Sequence, residues 1–281
     1  LAVVDVSTPA SPVLLGGVAD STYMDGAFGV AFDSARNLAY VVGYNSDSLA
    51  VVDVSTPATP MRLGGVTDST YMDTAYGVAF DSARNIAFVV GHNSDSLAVV
   101  DVSTPASPVL LGGVTDSTYM DGAYGVAFDS ARNIAFVVGA SSDSLAVVDV
   151  STPASPVLLG GVADSTYMDH AVGVAFDSAR NIAFVVGASS DSLAVVDVST
   201  PASPVLLGGV TDSTYMDGAY GVAFDSARNL AFVVSSSSES LAVVDTNQKL
   251  PETTRSFLSR DKKTISLTDA IGDIIERKLF D

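Results

Sequence analysis

The chain contains no cysteine and no tryptophan. Without thiols, disulfides, Cys-ligated zinc, iron–sulfur clusters and thiol nucleophiles are excluded, and cysteine usage carries no information about compartment. Basic residues are scarce: 13 Lys+Arg stand against 32 Asp+Glu, a formal charge of -19 over 281 residues. Nucleic acid needs a basic footprint and is excluded as a partner; an anionic membrane surface is disfavoured on the same ground. No apolar run approaches the roughly 18–20 residues of a spanning helix, so no membrane insertion is expected. Disorder is equally excluded, because 48% of residues are apolar and only 16% charged. A chain opening at Leu1 reads as processed or excised, with any targeting segment out of view; the compartment is left open, a secretory or luminal one being favoured.

What is present is a repeat. LAVVD opens at Leu1, Leu49, Leu97, Leu145, Leu193 and Leu241, a period of 48 residues without insertion or deletion. Residues 1–240 hold five near-identical copies, and residues 241–246 begin a sixth. Each copy has four short apolar segments, which in the first are Leu1–Val6, Val13–Val18, Gly29–Phe32 and Leu38–Gly43. Their length, their Val, Phe and Tyr content and their Gly/Pro/Asn/Asp boundaries predict strands. Two prolines make Ser7–Pro12 a turn. Asp33–Asn37 reads as a hairpin loop in which Asn37 can turn left-handed. The class is all-β, and four strands per repeat predict propeller blades, with a β-solenoid of two coils per copy as the alternative.

At this point LAVVDVSTPASPVLLGGV and AYGVAFDSARNIAFVVG resemble the LVIVD repeats of β-propellers, and FDSARNxAFVV is similar to YVTN-type propeller repeats. The resemblance covers residues 1–246 and implies a five-bladed propeller with GVAF innermost, then NxAFVVG, LAVVDV and PVLLGGV. It implies that residues 1–18 and 221–234 share one interlocked blade, leaving Leu241–Thr246 to compete with Leu1–Val6 or to serve as an extra edge. Some YVTN-like relatives are lactonase-like or quinone-dependent enzymes, which makes such an enzyme one alternative function.

Near-identical copies cannot supply the different roles of an asymmetric catalytic site, so a non-enzymatic scaffold or protein-interaction module is expected, without cofactor. Any site must recur fivefold, lie on the axis, or use the positions where the copies differ. Those are Gly26, Thr74, Gly122, His170 and Gly218; Phe28, Tyr76, Tyr124, Val172 and Tyr220; and Tyr44, His92, Ala140, Ala188 and Ser236. The candidate interaction face comprises the loop pairs Tyr23–Met24, Tyr71–Met72, Tyr119–Met120, Tyr167–Met168 and Tyr215–Met216, with Tyr44, His92 and His170. The histidines lack metal-ligand spacing, and no G-x-S-x-G elbow occurs.

Each copy also carries five acids against one arginine, with Arg62 a second arginine in the second copy. The pairs Asp20/Asp25, Asp68/Asp73, Asp116/Asp121, Asp164/Asp169 and Asp212/Asp217 flank hydroxyl-bearing loops and make Ca²⁺, or a carbohydrate held through it, an alternative ligand. The acidity resides wholly in residues 1–240, where it serves solubility first. After a linker over 247–263, residues 264–281 are expected to form an amphipathic helix with Leu267, Ile271, Ile274, Ile275 and Leu279 on one face. That face would dock in cis, on a partner protein or on a second copy, and strand exchange between copies is a further route to self-association.

Overall fold

The computed structural model describes residues 1–247 and, beyond them, only the strands Phe257–Leu258, Thr264–Thr268 and Ile274–Lys278. The chain opens with a two-stranded pair, β1 (Ala2–Asp5) and β2 (Val13–Gly17). The first full sheet follows: β3 (Ala27–Asp33), β4 (Leu38–Gly43), β5 (Ser48–Asp53) and β6 (Met61–Thr67). The second is β7 (Ala75–Asp81), β8 (Ile86–Gly91), β9 (Ser96–Asp101) and β10 (Val109–Thr115). The third is β11 (Ala123–Asp129), β12 (Ile134–Gly139), β13 (Ser144–Asp149) and β14 (Val157–Ala163). The fourth is β15 (Ala171–Asp177), β16 (Ile182–Gly187), β17 (Ser192–Asp197) and β18 (Val205–Thr211). The last has three strands, β19 (Ala219–Asp225), β20 (Leu230–Ser235) and β21 (Ser240–Asp245). Every sheet is an antiparallel meander in chain order, and the chain is all-β with repeated four-stranded units.

The turns hold the register. Asn37, Asn85, Asn133, Asn181 and Asn229 all adopt positive φ near 55°, the left-handed conformation their hairpins require. At the head of the same turn Asp33 accepts from the Ala35 N–H at 2.9 Å, and the Arg36 Nε reaches its other oxygen at 2.5 Å. Burial pushes the Asp33 carboxyl up, but the Arg36 guanidinium and the N–H groups of Arg36 and Ala35 outweigh it and hold it below the ordinary value. Arg36 also donates to the Val102 carbonyl of the second sheet at 3.0 Å, so a turn within one sheet clamps the next. Arg84 and Arg132 repeat this on Val150 and Val198.

Between sheets the core is a series of equivalent layers. In the first, Tyr40, Val42, Leu49 and Val51 meet Met72, Ala87, Val89 and Val100. The inner strands β3, β7, β11, β15 and β19 pack side by side around an axis. They come close because each carries a glycine: a Cβ on Gly77 or Gly125 would lie 2.6 Å from the carbonyl oxygen of Tyr124 or Val172. Gly221 has no such partner on β3 among the described residues, and β19 does not pack on β3 as the other inner strands pack on one another.

Two expectations are corrected. The interlocked blade does not form among the described residues: β1 pairs with β2, while β20 pairs with β19 and β21. Leu241–Asp245 has the sequence of Leu1–Asp5 but follows β20 after a short turn, so far less loop-closure entropy opposes its pairing. The C-terminal helix is also replaced: Thr264–Thr268 and Ile274–Lys278 are antiparallel strands, Leu267 pairing with Ile275 and Thr268 with Ile274. The alternation Thr-Ile-Ser-Leu-Thr and the β-branched Ile274–Ile275 suit a strand period better than a helical one. Ile271 and Leu279 lie outside the described residues.

Candidate functional site at the axis

The second residue of each inner strand is one of the positions at which the copies differ. Phe28, Tyr76, Tyr124, Val172 and Tyr220 all converge on the axis at the same end. Phe28 meets Tyr76 edge-on at 4.6 Å between ring centroids and Tyr124 at 5.7 Å, and lies 6.3 Å from Tyr220. Tyr76 stacks on Tyr124 at 4.3 Å, and the hydroxyls of Tyr124 and Tyr220 are hydrogen-bonded. Two loop residues from the expected interaction face complete the rim, Tyr44 at 5.6 Å from Tyr76 and His92 at 5.2 Å.

This ring, with Val30, Val78, Val126, Val174, Val222 and the inner-strand glycines, lines an open pocket of about 290 Å³. Its lining side chains are Phe, Tyr and Val, without carboxylate or imidazole. Burial pushes the Tyr124 hydroxyl well up, and its bond to Tyr220 adds to the effect; burial also raises Tyr76, with Tyr44 and Tyr220 contributing. These phenols stay protonated through the neutral range and can donate as well as accept. The mouth therefore offers flat apolar faces and neutral hydroxyls, a surface for stacking a ring and hydrogen-bonding its substituents.

The other sequence-predicted residues have structural roles. Met24, Met72, Met120, Met168 and Met216 are buried in the layers between sheets rather than exposed as anchors, a correction that follows from their short helical-type turn tucking the thioether inward. Tyr23, Tyr71, Tyr119 and Tyr167 lie over Gly65, Gly113, Gly161 and Gly209 of the outer strands; Tyr215 is exposed. His170 is exposed and sits in a left-handed turn (φ 55°), its N–H bonded to the Asp143 carboxylate at 2.9 Å.

The aspartates are turn formers. Asp20 accepts from the N–H groups of Thr22 and Tyr23, and Asp68, Asp116, Asp164 and Asp212 do the same in their copies. The Tyr23 N–H is the chief cause holding Asp20 below its usual range; burial opposes it, and the Thr22 N–H and Arg62, at 2.8 Å, assist. Asp25 and Asp73 face Asn45 and Asn93, and the carbonyls of Asp121, Asp169 and Asp217 accept from Ser141, Ser189 and Ser237. No three His, Asp or Glu side chains converge as a metal site among the described residues.

These meanders, stacked side by side around an axial pocket, define a β-propeller-like repeat protein. The LVIVD repeat model matches residues 1–20, 36–68, 85–116, 133–164 and 181–212, and the chain belongs to the LVIVD repeat family. No curated protein sequence matches it. Among solved structures, a Lactobacillus plantarum protein is similar at 15% identity and a TM-score of 0.68, over 98% of this chain and 90% of that one. The periplasmic gluconolactonase of Pseudomonas aeruginosa is similar at 12% identity and a TM-score of 0.63, over 94% and 87%. A chain of the nidogen/laminin complex is similar at 13% and 0.60, over 85% and 82%. These likenesses share a fold. They also correct the expectation of a non-enzymatic scaffold: the same architecture carries a protein named as a lactonase, so repetition of blades does not assign a scaffold role.

Proposed function

We propose that five blade units surround the axis and that the chain binds a small, neutral, ring-shaped ligand of the sugar type at its aromatic mouth, without converting it. The observation that carries this reading is the convergence of Phe28, Tyr76, Tyr124 and Tyr220 on one cavity, from repeats that are nearly identical elsewhere. About 290 Å³ is at the small end of ligand pockets and suits one sugar ring. Stacked aromatics engage the apolar face of such a ring, while the Tyr124 and Tyr220 hydroxyls exchange hydrogen bonds with its edge. The similarity to a gluconolactonase fits a sugar-derived ligand. The Phe, Tyr and Val lining, with His92 only on the rim outside it, supports holding the ligand rather than converting it.

Because the chain has no tryptophan, its emission comes from ten tyrosines, and the share that Tyr76, Tyr124 and Tyr220 contribute is the part a ligand at the mouth would change. Titration with neutral monosaccharides and sugar lactones should change that emission saturably for at least one of them, with a calorimetric stoichiometry of one per chain. Tyr124→Ala should weaken binding at least about tenfold. Tyr124→Phe should retain the stacking share. Absence of binding across the panel, or equal affinity in Tyr124→Ala, would refute the reading.

A further inference from the structure

We propose that the axial mouth continues into a second subsite, a shelf built by Tyr44, Asn45, His92 and Asn93, and that the ligand is a neutral disaccharide whose second ring rests on Tyr44. This inference rests on the reading of the mouth as a site for one sugar ring. The two residues that follow the second strand of each sheet differ as doublets. They are Tyr44-Asn45 in the first copy and His92-Asn93 in the second, against Ala140-Ser141, Ala188-Ser189 and Ser236-Ser237 in the others. Two adjacent positions thus change together, and in the same two copies. Each of those copies gains a flat ring and a side-chain amide, the two chemistries that hold a sugar, one on its apolar face and the other on its hydroxyls.

The two doublets follow β4 and β8, which belong to sheets packed against each other, and Tyr76 joins them to the mouth. Tyr76 lines the pocket; Tyr44 and His92 stand just outside that lining, 5.6 Å and 5.2 Å from it between ring centroids. The aromatic surface therefore runs outward from the mouth over Tyr76. Tyr44 is seated there by the lack of a side chain at Gly26, since a Cβ on that glycine would lie 2.6 Å from its Cδ1. The ring nevertheless stays 38% exposed. Asn45 and Asn93 are exposed beside it, their amide nitrogens 3.3 Å and 3.4 Å from the carboxylates of Asp25 and Asp73. The edge of the shelf thus sets planar donors next to acceptors, which the hydroxyls of a ring can bridge.

Size and continuity make a second ring the occupant. The pocket of about 290 Å³ suits one ring, and the shelf begins where its lining ends. Around the rest of the rim Ala140, Ala188 and Ser236 bring no aromatic face, so the ligand is held at the mouth and in one direction beyond it. Tyr44 is the platform, because His92 is half-buried and turned edge-on to Tyr76. Asp25 and Asp73 at the shelf, and a formal charge of -19 on the chain, select against an anionic sugar.

The test is calorimetric titration of the full chain with glucose and galactose and with maltose, cellobiose and lactose. At least one disaccharide should bind about tenfold tighter than either monosaccharide. Tyr44→Ala should remove that advantage while changing monosaccharide affinity less than about twofold. Tyr44→Phe should keep the advantage, and Asn45→Ala should lose part of it. Tyr124→Ala, at the mouth, should weaken both kinds of ligand. Because Tyr44 is exposed, circular dichroism and the urea midpoint of Tyr44→Ala should match those of the unaltered chain. A monosaccharide that binds with no disaccharide binding tighter, or a disaccharide advantage that survives Tyr44→Ala, overturns the shelf and leaves the mouth as a single-ring site. Absence of binding by every sugar overturns the reading of the mouth, and the shelf with it.

Discussion

The third full sheet and the last sheet have nearly the same sequence and different surroundings. In the third, β12 and β13 are buried along their whole length between the second and fourth sheets. In the last, β21 alternates between half-buried and exposed, since one face meets the fourth sheet and the other meets none among the described residues. The same contrast holds for ion pairs: the side chain of Arg132 is 25% exposed and reaches Val198, while that of Arg228 is 65% exposed and bonds only within its own sheet. A repeat thus has no stability of its own that can be read from its sequence. Its energy lies largely in the layer between it and the next, as in other stacked-repeat architectures.

The sharpest way to break this comparison is to truncate one side chain in both settings. Phe136→Ala should destabilise the protein by about 3–5 kcal/mol, because the ring is fully buried against Phe176 and leaves a cavity. Phe232→Ala should cost less, about 2 kcal/mol, because its ring is only partly buried and meets no inner-strand Phe of a further sheet among the described residues. Urea denaturation at low chain concentration measures both, and equal costs would mean that the last sheet is covered in solution. Next in size is the clamp. Arg132→Ala strips the partner from Asp129, which is 4% exposed, and should cost about 3 kcal/mol. Arg228→Ala, at an exposed pair, should cost under about 1 kcal/mol by the same measurement.

Much of the fold is legible in the sequence because it rests on local chemistry. Strand identity follows from Val, Phe and Tyr runs, and the hairpins from Asp33 and Asn37 acting through short-range bonds. The layers between sheets are less legible: Met24 reads as a loop residue until the turn that folds it inward is known. Asp47, Asp95, Asp143 and Asp191 were not singled out as linking elements, yet they turn left-handed, and their carboxylates bond the N–H groups of Thr74, Gly122, His170 and Gly218 near the next sheet. The axial site was visible only as variation, since Phe28, Tyr76, Tyr124 and Tyr220 stood among the differing positions without being named as ligand contacts. Nothing local shows that they face one another; the convergence of five inner strands does. The tail misled because Leu267, Ile271, Ile274 and Ile275 satisfy a helical spacing while Ile265 and Leu267 satisfy a strand spacing, and in so short a segment the pattern does not choose.

The smallest expected effect sharpens the comparison within the buried joints, where neighbouring copies are not equivalent either. The residue ahead of the inner strand is left-handed in every copy, with φ between 55° and 65° in Gly26, Thr74, Gly122, His170 and Gly218. Glycine takes this conformation freely, whereas β-branched threonine is strained there. Thr74 recovers part of the cost, since its Oγ1 accepts from the Asn93 side chain at 2.7 Å and its N–H donates to Asp47 at 2.9 Å. Thr74→Gly would lose that Asn93 bond and the one Oγ1 donates to the Asp73 carboxylate at 3.1 Å, both near the surface, so relief of the backbone strain should leave a net stabilisation of about 0.5 kcal/mol. The reverse change, Gly122→Thr, adds a Cβ 2.7 Å from the Ser141 Oγ as well as the strained φ, and should destabilise by about 1–3 kcal/mol. Urea midpoints of opposite sign for the two variants are the expected result. A destabilised Thr74→Gly would show that these two bonds outweigh the backbone strain, making that loop an optimised joint.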